Sequence, residues 1–261
     1  MKTKLVILDW AGTSVDYGCF APVNAFALAF QSVGLEPTVD EIREPMGMLK
    51  RDHIRMMLSM DRLKAQWVEK YGSEPDDAAV EKIYGVFEDS LMKSLNDYAA
   101  PKPGTLEAVA KLREMGIHIG STTGYTDAMM EVVTNGAKEQ GYEPDAWFSP
   151  DAVEGMGRPY PYMIYENMRH FQIASTEEVI KVGDTVSDIK EGKNAGVKSL
   201  GVLEGSSVLG LSQEEYEALS LTEKESVLDK ARKKLLLAGA DAVLLNLGEL
   251  PGWIEENERS L

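Results

Sequence analysis

Three short apolar runs, each ending without a spacer in a polar cluster, constrain this chain more than any other feature. Residues 5–8 lead into Asp9, residues 117–120 into Ser121-Thr122-Thr123-Gly124, and residues 179–182 into Gly183-Asp184. Two further runs, at 200–203 and 242–247, have similar turn-like borders, and helical patterns fill most of the intervals. Strands alternating with helices predict an α/β fold with a parallel sheet. Ligands of such open sheets collect beyond the carboxyl ends of the strands, so the three clusters are expected to share one site. The helical pattern is clearest at 105–115, where Leu106, Val109, Ala110 and Leu112 are expected on one face and Gly116 is a natural stop.

Residues 9–116 separate the first run from the second, far more than the dozen or so that one crossover needs. The surplus predicts an insertion, and its pattern is helical: Val23, Phe26, Ala27 and Phe30 recur at helical spacing, as do Ile83, Val86, Phe87 and Leu91. The outgoing hinge is expected near Asp16 to Cys19. The return is expected at 99–104, where Pro101-Lys102-Pro103-Gly104 supplies stiff and turn-forming residues. The chain thus divides into a core of residues 1–17 and 101–261 and an α-helical cap of residues 18–100. Residues 206–238 read as a Ser- and Glu-rich loop followed by a helix packed against the sheet.

Composition narrows the function classes. With 261 residues, 44% hydrophobic and 27% charged, the chain can bury a sizeable core without metal or disulfide staples. A single cysteine, Cys19, excludes an intramolecular disulfide and points to a reducing, cytoplasmic compartment. The run at 5–8 is too short for a signal-peptide core, and no run approaches the ~18 apolar residues of a membrane span. A net charge of −16 opposes non-specific binding to nucleic acid or to an anionic membrane. An anionic substrate would need a local cluster of positive charge.

Asp9 opens Asp9-Trp10-Ala11-Gly12-Thr13, in which Gly12 lets the backbone approach a ligand and Thr13 offers a hydroxyl. A strand-end carboxylate can act as nucleophile and metal ligand together, or simply cap a turn. Asp184 and Asp188, four apart, suit Mg²⁺, which takes a few carboxylates plus water and phosphate oxygens; alone, Asp184 would be an N-cap. In the inserted segment, a helix from near Pro45 would put Met46, Lys50 and His53 on one face, where burial would lower the lysine pKa and leave a free amine. The plainer alternatives are a surface charge for Lys50, a core or surface role for His53, and packing for a methionine stripe of Met46, Met56, Met57 and Met60.

In this order, Asp9 with Gly12-Thr13, Thr123-Gly124, Arg158, and Asp184 with Asp188 resemble the four motifs of the haloacid dehalogenase superfamily. The resemblance implies a Rossmann-like core with Asp9 attacking phosphorus and Arg158 balancing charge. Thr123 and the Gly124 amide would hold phosphoryl oxygens, with Gly12 and Thr13 counted among the substrate-binding residues. Asp9, the Ala11 carbonyl and Asp184 would bind Mg²⁺, and Asp188 would orient the metal shell. Most phosphatases of the superfamily carry a second aspartate where this chain has Ala11. An alanine cannot protonate an alkoxide, so either the enzyme is dead or its leaving group is of another kind. Expelling carbon from phosphorus would require an electron sink, which a lysine Schiff base supplies.

Five further strings narrow the resemblance to the phosphonatase branch: Val15-Asp16-Tyr17-Gly18-Cys19-Phe20-Ala21-Pro22, Pro45-Met46-Gly47 with Lys50 and Asp52-His53, Gly120-Ser121-Thr122-Thr123-Gly124-Tyr125, Gly157-Arg158-Pro159-Tyr160-Pro161, and residues 181–188. That branch implies hydrolysis of the carbon–phosphorus bond of phosphonoacetaldehyde to acetaldehyde and inorganic phosphate, within 2-aminoethylphosphonate degradation. It also implies that Lys50 forms the imine, that His53 and Met46 support it, that Tyr125 and Cys19 line the site, and that the cap mediates a homodimer. Three rivals stand beside it. A haloacid dehalogenase needs neither Mg²⁺ nor an imine lysine, an ester phosphatase is disfavoured by Ala11, and a binding protein without turnover is disfavoured by Asp9 and Lys50 occurring together.

Overall fold

A computed structural model describes residues 2–259. All five apolar runs form strands: β1 (Leu5–Leu8), β2 (His118–Ser121), β3 (Val179–Gly183), β4 (Lys198–Val202) and β5 (Ala242–Leu244). They build one parallel sheet in the order β2-β1-β3-β4-β5. β5 stops short of the expected 247 because Asn246 turns the chain, its side chain accepting from the Gly248 N–H. β1 and β3 have neighbours on both sides and are buried along their whole length, which is why β1 reads as an unbroken apolar run and β3 as one interrupted only by Lys181. The strand order reverses around β1, so the loops leaving β1, β2 and β3 diverge and open a crevice at their carboxyl ends.

The segment between β1 and β2 supplies α1 (Phe20–Ser32), α2 (Val39–Arg43), α3 (Lys50–Ser59), α4 (Asp61–Tyr71), α5 (Asp77–Ser94) and then α6 (Thr105–Glu114). After β2 come α7 (Asp127–Glu139), α8 (Tyr162–His170), α9 (Val186–Ala195), α10 (Gln213–Ala218), α11 (Leu221–Leu237) and α12 (Leu250–Arg259). Residues 206–238 therefore hold two helices after the loop, not one, because Ser212 and Ser220 each form a capping box with the Glu three residues on. The expected face of α6 is shifted: Thr105, Ala108, Val109 and Leu112 point inward while Leu106 and Ala110 are exposed. The inward set is the i, i+3, i+4, i+7 stripe counted from Thr105, whose hydroxyl is buried by donating to the Ser14 carbonyl.

Alternate residues of β1 serve different layers. Leu5 and Ile7 pack with Ile164 and Met168 of α8. Val6 and Leu8 belong to a cluster that runs without a break through Trp10 and Val15 into Phe26, Phe30, Ile54 and Phe87 of the inserted helices. Phe26 is central there, stacked on Phe87 at 4.2 Å and on His53 at 3.8 Å. The chain leaves the sheet through Asp16, Gly18 and Cys19, all at positive φ, and returns at Pro101, which bridges to Val15. The turn is secured by the Asp16 carboxylate, which accepts from the Phe20 and Ala21 amides at the start of α1.

Candidate active site

The loops after β1, β2 and β3 and the turn preceding α3 close around one pocket. Asp9, Ala11, Thr123, Gly124, Tyr125 and Arg158 line it from the sheet side, and Cys19, Met46 and Lys50 from the inserted segment. Pro22, Gly47 and Thr185 also line it; they lie in the strings that carry the family resemblance, but the sequence assigns them no site role. Gly47, at φ 88°, lets the turn before α3 lie directly on the β3 loop, since a Cβ there would collide with the Thr185 hydroxyl.

Arg158 organises the floor. It is 5% exposed, and its Nη2 donates to Asp9 Oδ1 at 2.6 Å and to the Thr122 carbonyl at 2.9 Å. Its Nε donates to Glu191 Oε2 at 3.0 Å, and its Nη1 lies 3.0 Å from Asp188 Oδ1. Burial alone would depress the Arg158 pKa, but the carboxylates of Asp188, Asp9 and Glu191 more than reverse this and keep it charged. Lys181 lies 3.0 Å from Asp188 Oδ1 and 3.4 Å from Glu191 Oε2. Glu191 and Lys181 are fully buried members of this network that sequence reasoning missed as site residues. A signal was present: Lys181 interrupts an otherwise apolar central strand, and a charge there needs buried partners.

Carboxylate oxygens of Asp9, Asp184 and Asp188 lie within 4.8 Å of one another. Asp188 already has its cations: the Arg158 and Lys181 charges outweigh burial and lower its pKa. Asp184 makes no ion pair among the described residues and accepts hydrogen bonds from Ser207 N–H at 2.6 Å and Thr13 Oγ1 at 3.2 Å. Burial, then the Asp9 and Asp188 charges, push its carboxyl well up. Two crowded carboxylates with one left without a cationic partner fit a divalent cation held by Asp9 and Asp184, while Asp188 keeps the Thr185 turn and Arg158 in place.

Lys50 is the first residue of α3, so the expected helix from Pro45 is corrected: 44–47 form a turn, with Gly47 at positive φ breaking helical geometry. Met46 and Lys50 nevertheless meet in the pocket. Lys50 is 7% exposed, with Nζ 5.2 Å from the Tyr125 ring centroid, and burial brings its pKa down to about 8. Tyr125 and Cys19 are held in their protonated forms, burial raising both pKa values. The Tyr125 hydroxyl has no hydrogen-bond partner among the described residues.

Of the residues expected in catalytic or substrate-binding roles, three sit behind the pocket wall. His53 is fully buried against Phe26, its pKa pushed down by burial and then by the Lys50 charge, so it is a neutral neighbour one layer back. Thr13 turns its hydroxyl to Asp184 and, at 3.4 Å, to Asp9, supporting carboxylates instead of meeting phosphoryl oxygens. Gly12, at φ 86°, lies against Asp184, where any Cβ would collide with the carboxylate. Thr123 lines the pocket and also shapes its own turn, accepting from the Tyr125 N–H at 3.0 Å.

A family model described as haloacid dehalogenase-like hydrolase matches residues 3–196. The chain is 49% identical over 251 residues to a phosphonoacetaldehyde hydrolase of Lysinibacillus sphaericus, covering 96% of this chain and 93% of that one. It is 49% identical over 256 residues to the phosphonoacetaldehyde hydrolase of Parabacteroides distasonis, covering 98% and 97%. Among solved structures, a phosphonoacetaldehyde hydrolase-like protein from Oleispira antarctica superposes with a TM-score of 0.95 at 35% identity, covering 99% of this chain and 94% of that one.

Proposed function

The chain belongs to the phosphonoacetaldehyde hydrolases within the haloacid dehalogenase-like hydrolases, and from that premise we propose that it hydrolyses phosphonoacetaldehyde to acetaldehyde and phosphate, by a Schiff base on Lys50 and attack by Asp9. The observation that carries this reading is one buried pocket holding a lysine of lowered pKa, a strand-end carboxylate clamped by Arg158, and an alanine where an alkoxide acid would stand.

The neutral amine of Lys50 adds to the aldehyde and loses water to give an imine. Asp9 then attacks phosphorus, and the electron pair of the breaking carbon–phosphorus bond moves into the imine, so the carbon leaves as an enamine. Arg158, already on Asp9 Oδ1, meets charge on the phosphoryl oxygens, and Thr123 and the Gly124 amide hold them. Mg²⁺, held by Asp9, Asp184 and the Ala11 carbonyl, would supply further charge neutralisation on the transferring group. Protonation of the enamine, hydrolysis of the imine and hydrolysis of the aspartyl phosphate free both products, with one water consumed overall. Tyr125 stays protonated beside Lys50 and Met46 screens it from water, whereas His53 acts through packing and as a neutral neighbour. The helices of residues 18–100 act as the cap that brings Lys50 to Asp9, in a cytoplasmic enzyme of 2-aminoethylphosphonate degradation.

Purified protein is expected to release acetaldehyde from phosphonoacetaldehyde, followed through a coupled alcohol dehydrogenase, with activity lost on chelation and restored by Mg²⁺. Turnover of p-nitrophenyl phosphate or a haloacid in preference to the phosphonate would overturn the assignment. The same reading includes a homodimer through the cap, supported by the exposed apolar side chains Leu28, Met56, Val68 and Tyr71 on its helices. Sedimentation at assay concentration is expected to give twice the 28.8 kDa chain mass, and a monomer would count against it.

A further inference from the structure

Arg43 ends α2 in the inserted segment and makes no ion pair among the described residues. Its guanidinium lies over the Phe20 ring at 5.1 Å, and its Nη1 donates to two backbone carbonyls, Gly18 at 2.8 Å and Ser207 at 3.3 Å. The Nε and Nη2 groups are buried without a hydrogen-bond partner among the described residues. Gly210, at φ 71°, allows the loop after β4 to lie flat on this guanidinium, where a Cβ would come 3.0 Å from Nε. A largely buried cation spending its hydrogen bonds on backbone alone is costly unless its placement serves something.

Its two acceptors mark what that is. Gly18 belongs to the exit from the sheet and clasps the same loop from the other side, its N–H donating to the Gly205 carbonyl at 2.8 Å. Ser207 donates its own N–H to Asp184 Oδ2 at 2.6 Å. A continuous path therefore runs from a helix of the inserted segment, through one residue of the core whose carbonyl and N–H face opposite partners, to the carboxylate read above as a metal ligand. A second tie between α2's end and the core, Glu44 to Lys234 at 3.1 Å, is at the surface and leads nowhere in the site.

We infer that Arg43 is a positioning residue that couples seating of the inserted helices on the core to the orientation of Asp184, through the backbone of Ser207. The inference rests on the reading of Asp184 as a Mg²⁺ ligand. With the helices seated, the Ser207 loop is pinned and its N–H fixes one Asp184 oxygen; with Arg43 withdrawn, the loop is released and Asp184 is less well ordered for the cation.

Mg²⁺ alone is titrated calorimetrically into chelator-treated wild-type, Arg43→Met, Arg43→Lys, Lys234→Met and Asp184→Asn proteins. Support carried through a ligand's hydrogen-bond partners is worth about tenfold in affinity, so Arg43→Met is expected to bind Mg²⁺ about tenfold more weakly, Arg43→Lys to fall between, and Lys234→Met to match wild type. Activity should show the same split, with the Mg²⁺ activation constant raised and kcat largely restored at saturating Mg²⁺. A guanidinium acting only as a nearby positive charge predicts the opposite sign, because its removal would tighten Mg²⁺ binding. Unchanged or tighter binding by folded Arg43→Met overturns the inference. Should that protein fail to fold, Gly210→Ala, which crowds the guanidinium, is measured in its place with the same expectation and the same overturning result. If Asp184→Asn binds Mg²⁺ as wild type does, the metal-ligand reading fails; if only Asp184→Asn loses binding, that reading stands and the coupling fails.

Discussion

Lys50→Arg protein is expected to release acetaldehyde from phosphonoacetaldehyde at least about a thousandfold more slowly than wild type, and to form no borohydride-stable adduct with the substrate. Arginine preserves the positive charge and much of the side-chain length, so packing beneath Tyr125 and Phe26 is disturbed little, but a guanidinium never offers a free amine. The wild-type side chain does so because burial, with a smaller contribution from the Arg158 charge, outweighs the opposing Asp9 charge and brings its pKa from 10.5 to about 8. A lowered lysine pKa puts the free amine on the alkaline side of that value. Trapping on wild-type Lys50 should therefore rise with pH through about 8, not near 10.5. Acetaldehyde release by Lys50→Arg within tenfold of wild type would remove the Schiff base from the mechanism, and an adduct on another lysine would reassign it.

Much of this arrangement is legible in the sequence, for a physical reason. Central strands of a parallel sheet are buried on both faces, so β1 and β3 announce themselves as apolar runs, and their carboxyl ends place Asp9 and Asp184 together whatever the helices do. What the sequence hid depends on three-dimensional partners. Glu191 reads as one more charge on a helix until Arg158 and Thr122 Oγ1 are seen to converge on it. Thr13 and His53 carry site-like chemistry at site-like spacing, yet Thr13 is drawn under the carboxylates and His53 is captured by Phe26. The apolar pattern of α6 sets its inward face one residue late because Leu106 outweighs Thr105 on any apolar scale, although the threonine is the one with a buried acceptor. α3 starts at Lys50 because Gly47 is needed in a left-handed turn to reach Thr185, and this brings Lys50 into the pocket from the first turn of α3, not from one face of a helix begun at Pro45.

Asp9→Asn protein is expected to lose about four orders of magnitude or more in kcat while remaining folded. Arg158 loses one partner at 2.6 Å but keeps Asp188 and Glu191, so no buried cation is stranded, and Asp184 is relieved of a neighbouring negative charge that helps raise its pKa. The first half of the reaction needs only Lys50 and the aldehyde, whereas breaking carbon from phosphorus needs the Asp9 nucleophile. Borohydride quenching separates the two. Wild type caught during turnover should carry an ethyl group on Lys50, because phosphorus has already left. Asp9→Asn should carry a phosphonoethyl group at the same residue, the imine having formed with its carbon–phosphorus bond intact. An ethyl adduct on Lys50 of Asp9→Asn would mean that another group or water takes the phosphoryl directly, and Asp9 would then be retained as a metal ligand alone.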